Sequence, residues 1–246
     1  MDKMAYIAMT GAKEVMLAQA INSNNLANLN TTGFRADLAA FQATQAPGTG
    51  FPSRINATIS GTQVDMAEGP LLTTGRELDV AVKGHGMISV QAPDGSEAYT
   101  RAGNLTVNSS GILTTAAGYP VMGNSGPIAI PPNEKLDIGA DGTITVLPIG
   151  QAANSLAVVD RIKLVKTPPE GMVKTPEGLL RTASGDPLPA DGAVPLQSGV
   201  LESSNVNAID ALTNMIELSR HYEAQVKLMK AAQDNDVAST QLLRIA

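Results

Sequence analysis

The 246-residue chain contains no cysteine and no tryptophan, and aromatic residues make up only 3% of it. The absence of cysteine excludes disulfide bonds and thiolate metal ligands. Hydrophobic residues nevertheless account for 43% of the chain, which is enough for a true core. Because aromatic residues are so few, that core must be aliphatic.

Positive charge is also sparse, because the 17 Lys and Arg residues are scattered and the formal net charge is −6. A nucleic-acid surface needs concentrated positive charge, so nucleic acid is not an expected partner. No apolar run reaches the roughly 18 residues of a membrane span, and the N-terminal residues lack the pattern of a cleavable secretion signal. We therefore expect neither a direct membrane span nor export by the general secretory route.

Candidate catalytic and metal-binding residues are few. The two histidines, His85 and His221, have no acidic residue at ligand spacing, which favours structural or surface roles. The turn Gly84-His85-Gly86 lacks the rest of a dinucleotide fingerprint, and no serine lies in a Gly-x-Ser-x-Gly elbow. The sequence thus predicts a protein that is not an enzyme, with no catalytic residue, no cofactor and no metal.

Proline and glycine divide the chain into helix-permissive ends and a middle that is not. All 15 prolines lie within residues 47–195, and of the 23 glycines only Gly11 and Gly33 lie outside residues 48–199. The predicted fold class is α+β. Long N- and C-terminal helices pair as a coiled-coil-like layer, and a mainly antiparallel β domain is inserted between them.

Residues 4–30 are predicted to form one long helix, because they contain no proline and one glycine and are rich in helix-forming residues. Asparagines end the helix, and Gly33 can take the positive φ of a sharp exit at residues 31–35. Small or apolar residues lie on more than one face of this helix, so partner proteins are expected to bury part of its apolar surface. The two stripes are Met4, Ala8, Gly11, Val15 and Ala18, and Met9, Ala12, Met16 and Ala20.

A second long helix is predicted over residues 206–243. Asp210 places negative charge in its first turn, where the helix dipole favours it. Competent N-caps precede it, namely Ser203, Ser204, Asn205 and Asn207. A seam at alternating steps of three and four is typical of coiled-coil pairing. Its members are Leu212, Met215, Ser219, Tyr222, Val226, Met229, Gln233, Asp236, Thr240 and Leu243.

Short β-branched or aliphatic runs separated by turn residues fill the middle of the chain, which predicts an antiparallel β domain. The proline-rich residues 167–195 are expected to be loop with isolated strands. Residues 36–46 favour a short second helix with Leu38 and Phe41 on one face. The predicted domains are residues 1–35 and 201–246, which form the inner helical domain, a connecting segment at 36–70, and a β-rich domain at 71–200.

Three stretches of the chain resemble the axial rod and hook proteins of the bacterial flagellum. The first is Asn24-Asn25-Leu26-Ala27-Asn28, followed by Thr32-Gly33-Phe34-Arg35. The second covers residues 76–86 and 99–104, and the third covers residues 203–207 with Arg220-His221-Tyr222-Glu223. Within this family, the first residues and the short length most resemble the proximal rod type, and the distal rod type is the nearest alternative.

The resemblance implies a structural subunit that polymerises with copies of itself and related rod proteins into a hollow periplasmic drive shaft. Such subunits transmit motor torque and are exported through the flagellar type III apparatus without cleavage of a signal peptide. The alternatives are a distal rod or hook subunit, or a secreted β-rich binding module or enzyme with a helical stalk.

The asparagines of residues 22–30 could serve as helix caps, but five of them in nine residues favour contacts with neighbouring backbones or subunits. We therefore include this cluster in the predicted assembly interface, together with the apolar residues of the second helix. Its residues are Asn24, Asn25, Leu26, Ala27, Asn28, Gly33, Phe34, Leu212, Met215, Ile216, Tyr222, Val226 and Met229.

Overall fold

A computed structural model describes residues 3–45, 55–150, 156–168 and 171–245. The fold is α+β, with one long helix near each end and antiparallel strands between them, which confirms the predicted class. The chain divides into two compact units. The helical unit comprises Met1–Ala27, Asp37–Gln63 and Asn207–Ala246, and the β unit comprises Asn28–Ala36 and Val64–Val206.

Two helices, α1 (Lys3–Ala27) and α2 (Ala208–Ile245), pair in the helical unit. They run antiparallel, because Asn22 near the end of α1 bonds Ala211 near the start of α2, while Gly11 lies beside Gln225. Both predicted helices are confirmed. Helix α1 ends at Ala27 and not at Asn30, and residues 28–30 form a turn instead.

The start of α2 has the predicted kind of N-cap. Among the four candidates, Asn207 takes this role, since its Oδ1 accepts a hydrogen bond of 2.9 Å from the backbone nitrogen of Ile209. Asp210 lies in the first turn, as predicted. Neither helix, over the part of the chain described, combines the length and apolarity that a bilayer span needs.

Strands β1 (Asp37–Gln45) and β2 (Ile55–Val64) form a two-stranded sheet. The short helix predicted for residues 36–46 is therefore wrong. Its alanines favour a helix, but Thr58 Oγ1 donates to the Gln42 carbonyl and Ser60 Oγ to the Ala40 carbonyl, both at 3.3 Å. Pairing with the β-branched second strand overrides the local preference. The tip of this hairpin lies outside the described residues.

The β unit is built from fourteen short strands in the part of the chain described, and these strands pair antiparallel. They are β3 (Leu71–Thr73), β4 (Val80–Val82), β5 (Gly86–Gln91), β6 (Glu97–Thr100), β7 (Leu105–Val107), β8 (Leu113–Thr115), β9 (Asn133–Ile138), β10 (Thr143–Pro148), β11 (Ala157–Arg161), β12 (Leu164–Lys166), β13 (Met172–Lys174), β14 (Leu180–Thr182), β15 (Leu196–Ser198) and β16 (Val200–Glu202).

One five-stranded sheet, in the order β12-β5-β6-β14-β13, and one three-stranded sheet, β11-β10-β9, make up most of the β unit. The pairs β15-β4, β16-β3 and β7-β8 complete it. The main core is aliphatic, as predicted, and includes Ile88, Leu105 and Ile144, all fully buried. Residues 167–195 are mostly loop, and their two strands β13 and β14 extend the five-stranded sheet.

Candidate assembly surface and junction cluster

Small residues form the contact between the two helices of the helical unit. Ala8, Gly11 and Ala18 line this side of α1, and a Cβ atom at Gly11 would lie only 3.0 Å from Cδ of Gln225. The matching stripe of α2 repeats at steps of four and three, which is typical of coiled-coil packing. It consists of Ala211, Met215, Leu218, Tyr222, Gln225, Met229, Ala232, Asp236 and Ser239.

Three of the predicted α2 interface residues, Met215, Tyr222 and Met229, lie on this intramolecular stripe. The other three lie beside it and are exposed: Leu212 by 49%, Ile216 by 56% and Val226 by 41%. The predicted seam is thus displaced by one residue at five members, Leu212, Ser219, Val226, Gln233 and Thr240. The physical reason lies on α1, where the small residues Ala8, Gly11 and Ala18 leave room for longer side chains of α2 such as Gln225.

The outward face of α1 carries large apolar side chains. Tyr6, Met9, Met16 and Leu17 are 59%, 53%, 57% and 43% exposed, and Lys13 is the one charged residue among them. At about 100° per residue they lie roughly half a turn from the small residues of the seam. An ordinary amphipathic helix buries its large residues, so this inverted arrangement indicates a surface that another protein covers.

Helix α2 also carries an exposed apolar stripe. Ile209 is 74% exposed, and Leu212 and Ile216 follow at helical spacing on the same side of the helix. Farther along, this side of α2 is mostly polar, with Glu223 and Lys230. The apolar part of the stripe therefore covers the first turns of α2. We call Tyr6, Met9, Met16, Leu17, Ile209, Leu212 and Ile216 the outward apolar surface.

The asparagine cluster bonds within the helical unit. Asn25 is buried, and its side chain exchanges two hydrogen bonds with the backbone of Asp37, donating at 2.8 Å and accepting at 2.9 Å. Asn22 donates to the Ala211 carbonyl at 2.7 Å. These two asparagines bond to neighbouring backbone of the same chain. A role in contacts between subunits stays a prediction for the five predicted members, Asn24, Asn25, Leu26, Ala27 and Asn28.

Glu14 is a buried carboxylate on α1 that the sequence reasoning missed. Its Oε2 accepts a 2.9 Å hydrogen bond from the backbone nitrogen of Ile59, in strand β2. Together with Asn25, it holds the β1-β2 hairpin against the helix. No local signal marks this role, because the partner lies 45 residues away in a segment of different secondary structure.

In the β unit, a buried carboxylate lies between two guanidinium groups. Glu202 Oε1 is 2.8 Å from Nη2 of Arg35, and its Oε2 is 2.9 Å from Nη1 of Arg101. All three side chains are at most 2% exposed. Burial lowers the pKa of the Arg101 guanidinium, and the charge of Glu202 opposes that shift. The backbone nitrogen of Gly69 donates to Glu202 Oε1 at 2.9 Å, which further satisfies the carboxylate.

Backbone groups around these charges complete a network that we call the junction cluster: Gly33, Arg35, Ala36, Gly69, Arg101, Glu202 and Asn205. The nitrogen of Gly33 donates to the Glu202 carbonyl at 2.8 Å. Asn205 accepts from the nitrogen of Ala36 at 2.8 Å and donates to the carbonyl groups of Asp65 and Ala67, both at 3.1 Å. Three segments that are distant in sequence therefore meet here.

The predicted site residues Gly33 and Phe34 lie at this network. Gly33 has a φ of +68°, as expected for a sharp exit, and a Cβ atom there would lie 2.2 Å from the carbonyl carbon of Arg101. The Nζ of Lys174 lies 3.8 Å from the centroid of the Phe34 ring and donates to the Arg35 carbonyl at 2.8 Å. These contacts fix the backbone path at residues 33–35.

The three charged members of the junction cluster were missed by sequence reasoning. Arg35 and Arg101 lie in stretches that carry the family resemblance, and Glu202 comes directly before a third. That coincidence was the available signal, but nothing in the sequence pairs charges so far apart. Across the described residues, no group of three or more acidic or histidine side chains is arranged to hold a metal ion.

Three family models match this chain. The model described as "Flagella basal body rod protein" matches residues 6–35, "Flagellar hook protein FlgE/F/G D1 domain" matches residues 81–146, and "Flagellar basal body rod FlgEFG protein C-terminal" matches residues 197–242. The first and third regions hold most of α1 and α2, and between them the three regions contain Arg35, Arg101 and Glu202.

Several characterised proteins are similar to the chain over its full length. The flagellar basal-body rod protein FlgF of Escherichia coli (strain K12) is 41% identical over 252 residues, with 100% of both chains covered. FlgF of Salmonella typhimurium (strain LT2) is 40% identical with the same coverage. The flagellar basal-body rod protein FlgG of Buchnera aphidicola (subsp. Schizaphis graminum) is 34% identical, covering 90% of this chain and 92% of that protein.

Proposed function

Because the chain belongs to the flagellar basal-body rod protein family, we propose that its outward apolar surface packs against neighbouring axial proteins of the rod. The chain is a structural subunit of the rod, in the periplasmic part of the basal body. Its neighbours in this proposal are further copies of itself and related rod proteins. Contacts between two different surfaces build a helical shaft when the rotation between neighbouring subunits does not close a ring.

One observation carries this proposal, namely the inverted packing of α1. The seam with α2 uses Ala8, Gly11 and Ala18, whereas Met9 and Met16 face outward and are each more than half exposed. A helix that served only its own fold would be more stable with the large side chains inside. The outward residues gain burial only when another subunit covers them.

We further place the subunit in the proximal part of the rod, since its identity to the two FlgF proteins exceeds its identity to FlgG. In this position it transmits torque along the shaft. It reaches the rod through the flagellar type III export apparatus. Secretion of the intact chain by a strain that lacks a functional rod tests this step.

Two matched serine substitutions on α2 test the outward apolar surface. Leu212 and Leu228 are 49% and 42% exposed, and they lie about 160° apart around the helix. Covering the exposed half of one leucine contributes about 1 kcal/mol, so Leu212→Ser should weaken assembly roughly fivefold to tenfold. Adding Ile216→Ser, with a similar loss of burial, should bring the loss to roughly 25-fold to 100-fold, since additive free energies multiply the two factors. Leu228→Ser lies outside the proposed surface and should change assembly far less.

The measurement is complementation of a strain that lacks its own proximal rod protein. Incorporation into purified basal bodies and swimming in soft agar report assembly, and thermal unfolding of each purified variant reports its stability. We expect all variants to unfold at similar temperatures, because exposed positions contribute little to the fold of the free chain. Equal incorporation of the Leu212 and Leu228 variants would show that the outward apolar surface is not the interface.

A further inference from the structure

The chain passes four times between the two units, after residues 27, 36, 63 and 206. On the side of the β unit, three segments carry these passages. One is residues 28–36, one begins at Val64, and one ends at Val206. All three segments contribute to the junction cluster, so every passage enters the β unit next to the same buried group of charges.

Direct bonds join the three segments to one another. Gly33 on the first segment donates to the carbonyl of Glu202 on the last, and the nitrogen of Asn205 donates to the Phe34 carbonyl at 3.3 Å. The nitrogen of Asp65 on the middle segment donates to the Ala36 carbonyl at 2.8 Å. Each segment is therefore fixed relative to the other two by backbone groups, and not only by side-chain packing.

Arg101 ties this group to the strands of the β unit. Its Nη1 donates to the Val82 carbonyl at 2.9 Å, and its Nη2 donates to the carbonyl of Gly84. Val82 ends strand β4, which lies in the main core. The Glu202 carboxylate binds Arg101, and Arg101 binds strand β4. The segments that carry the chain passages are thereby bonded to the most buried part of the β unit.

Stability alone is a weak explanation for three buried charges. Removing charges from water is costly, and well-packed apolar side chains in their place are often at least as stabilising. A carboxylate bound by two guanidinium groups fixes the relative orientation of the three side chains, because each hydrogen bond has a preferred distance and angle. The arrangement therefore favours a role in fixing geometry.

We propose that the junction cluster is formed in the unassembled subunit and anchors the four chain passages before assembly. Glu202 is its central positioning residue. This inference rests on the proposed function, since it assumes that the helical unit becomes fully covered only in the rod. The anchored passages let the helices become ordered against neighbours while the strands of the β unit keep their places.

Hydrogen exchange on the full chain at low concentration tests the first half of the inference. The backbone nitrogens of Gly33, Ala36 and Gly69 all donate into the junction cluster. We expect their amides to exchange as slowly as those of strand β4, and more slowly than those of α1 and α2. Exchange of these three amides as fast as the helical amides would overturn the proposal.

Two matched glutamate variants test the second half. Glu202→Gln keeps the shape and the acceptor for Gly69 but removes the charge. Glu97→Gln breaks another ion pair of the β unit, to Lys163 at 2.8 Å, away from the chain passages. We expect Glu202→Gln to raise exchange at least tenfold in residues 28–36, 64–70 and 200–206, and to lower incorporation into basal bodies. Glu97→Gln should do neither.

A third variant keeps the test decisive if Glu202→Gln does not fold. Asn205→Ala removes the bonds to Ala36, Asp65 and Ala67 without leaving a charge unpaired. Faster exchange confined to these neighbours, with reduced incorporation, supports anchoring. A uniform rise over the whole β unit, or unchanged incorporation, overturns it. If the unmodified chain itself never enters basal bodies, the proposed function fails. If Glu202→Gln enters basal bodies as efficiently as the unmodified chain, only this inference fails.

Discussion

Replacing Gly33 with alanine tests how tightly the chain is held where it enters the β unit. Two costs are expected from the structure. The residue has a φ of +68°, and a left-handed backbone costs an alanine roughly 1–2 kcal/mol. The new Cβ would also lie 2.2 Å from the carbonyl carbon of Arg101 and 2.4 Å from the nitrogen of Ala102, both of them backbone atoms.

The second cost separates this position from an ordinary turn. Backbone atoms cannot rotate away as a flexible side chain can, so the segment must shift, which costs roughly a further 1–3 kcal/mol. Gly75 is the matched control, because its φ is +71° but a Cβ atom there would meet nothing within 4 Å. Gly75→Ala should therefore show the conformational cost alone, about 1–2 kcal/mol.

Urea-induced unfolding, followed by the protection of amides in strands β4 and β5, measures the β unit separately from the helices. We expect Gly33→Ala to lower its free energy of unfolding by about 2–5 kcal/mol, at least 1 kcal/mol more than Gly75→Ala does. Equal losses for the two variants would refute the reasoning, because they would show that the close approach of Gly33 to Arg101 adds nothing.

Two further predictions concern the surface and the helix seam. Hydrogen bonds from Ser96, and after them the Arg181 guanidinium, lower the pKa of Asp94 from 3.8 to about 2. The ionised carboxylate therefore stabilises the fold above about pH 4, and this contribution is lost as the pH falls toward 2. Asp94→Asn should flatten the decline of thermal stability over that range, and parallel curves for the two proteins would contradict this. At the seam, Gly11→Leu should separate the helices and lower the helical signal in circular dichroism, whereas Gly11→Ala, which meets only the flexible end of Gln225, should not.

Much of the fold was predictable because local signals agree with it. The positions of the two helices follow from the distribution of proline and glycine, and the cap at Asn207 and the positive φ of Gly33 follow from residue chemistry. The turn residues of the middle segment separate short strands, as antiparallel sheets require. In these places, each residue's own preference and its tertiary contacts favour the same conformation.

The β1 strand shows where local preference fails. Its sequence, Asp-Leu-Ala-Ala-Phe-Gln-Ala-Thr-Gln, is rich in alanine and favours a helix when taken alone. The strand forms because β2 supplies a β-branched partner, while Glu14 and Asn25 on α1 bind the backbone of the hairpin. All of these partners are remote in sequence, so no window around residues 37–45 contains the deciding information.

The displaced seam of α2 has a related cause. Sequence reasoning placed the larger residues Leu212 and Val226 in the seam, since apolar size is the usual sign of burial. At these two places the stripe that contacts α1 instead holds Ala211 and Gln225, and the facing side of α1 offers the small residues Ala8, Gly11 and Ala18. Which stripe of α2 is used thus depends on the partner helix, and the sequence of α2 alone does not define it.

The junction cluster joins three short motifs that lie far apart in the chain. Arg35, Arg101 and Glu202 each lie in or beside a stretch that carries the resemblance, and both buried guanidinium groups pair with the one carboxylate. Losing Glu202 would leave two buried guanidinium groups without a carboxylate partner, which is far more costly than losing an exposed ion pair. The three motifs therefore act as one structural element, and what they specify in common is where the chain enters and leaves the β unit.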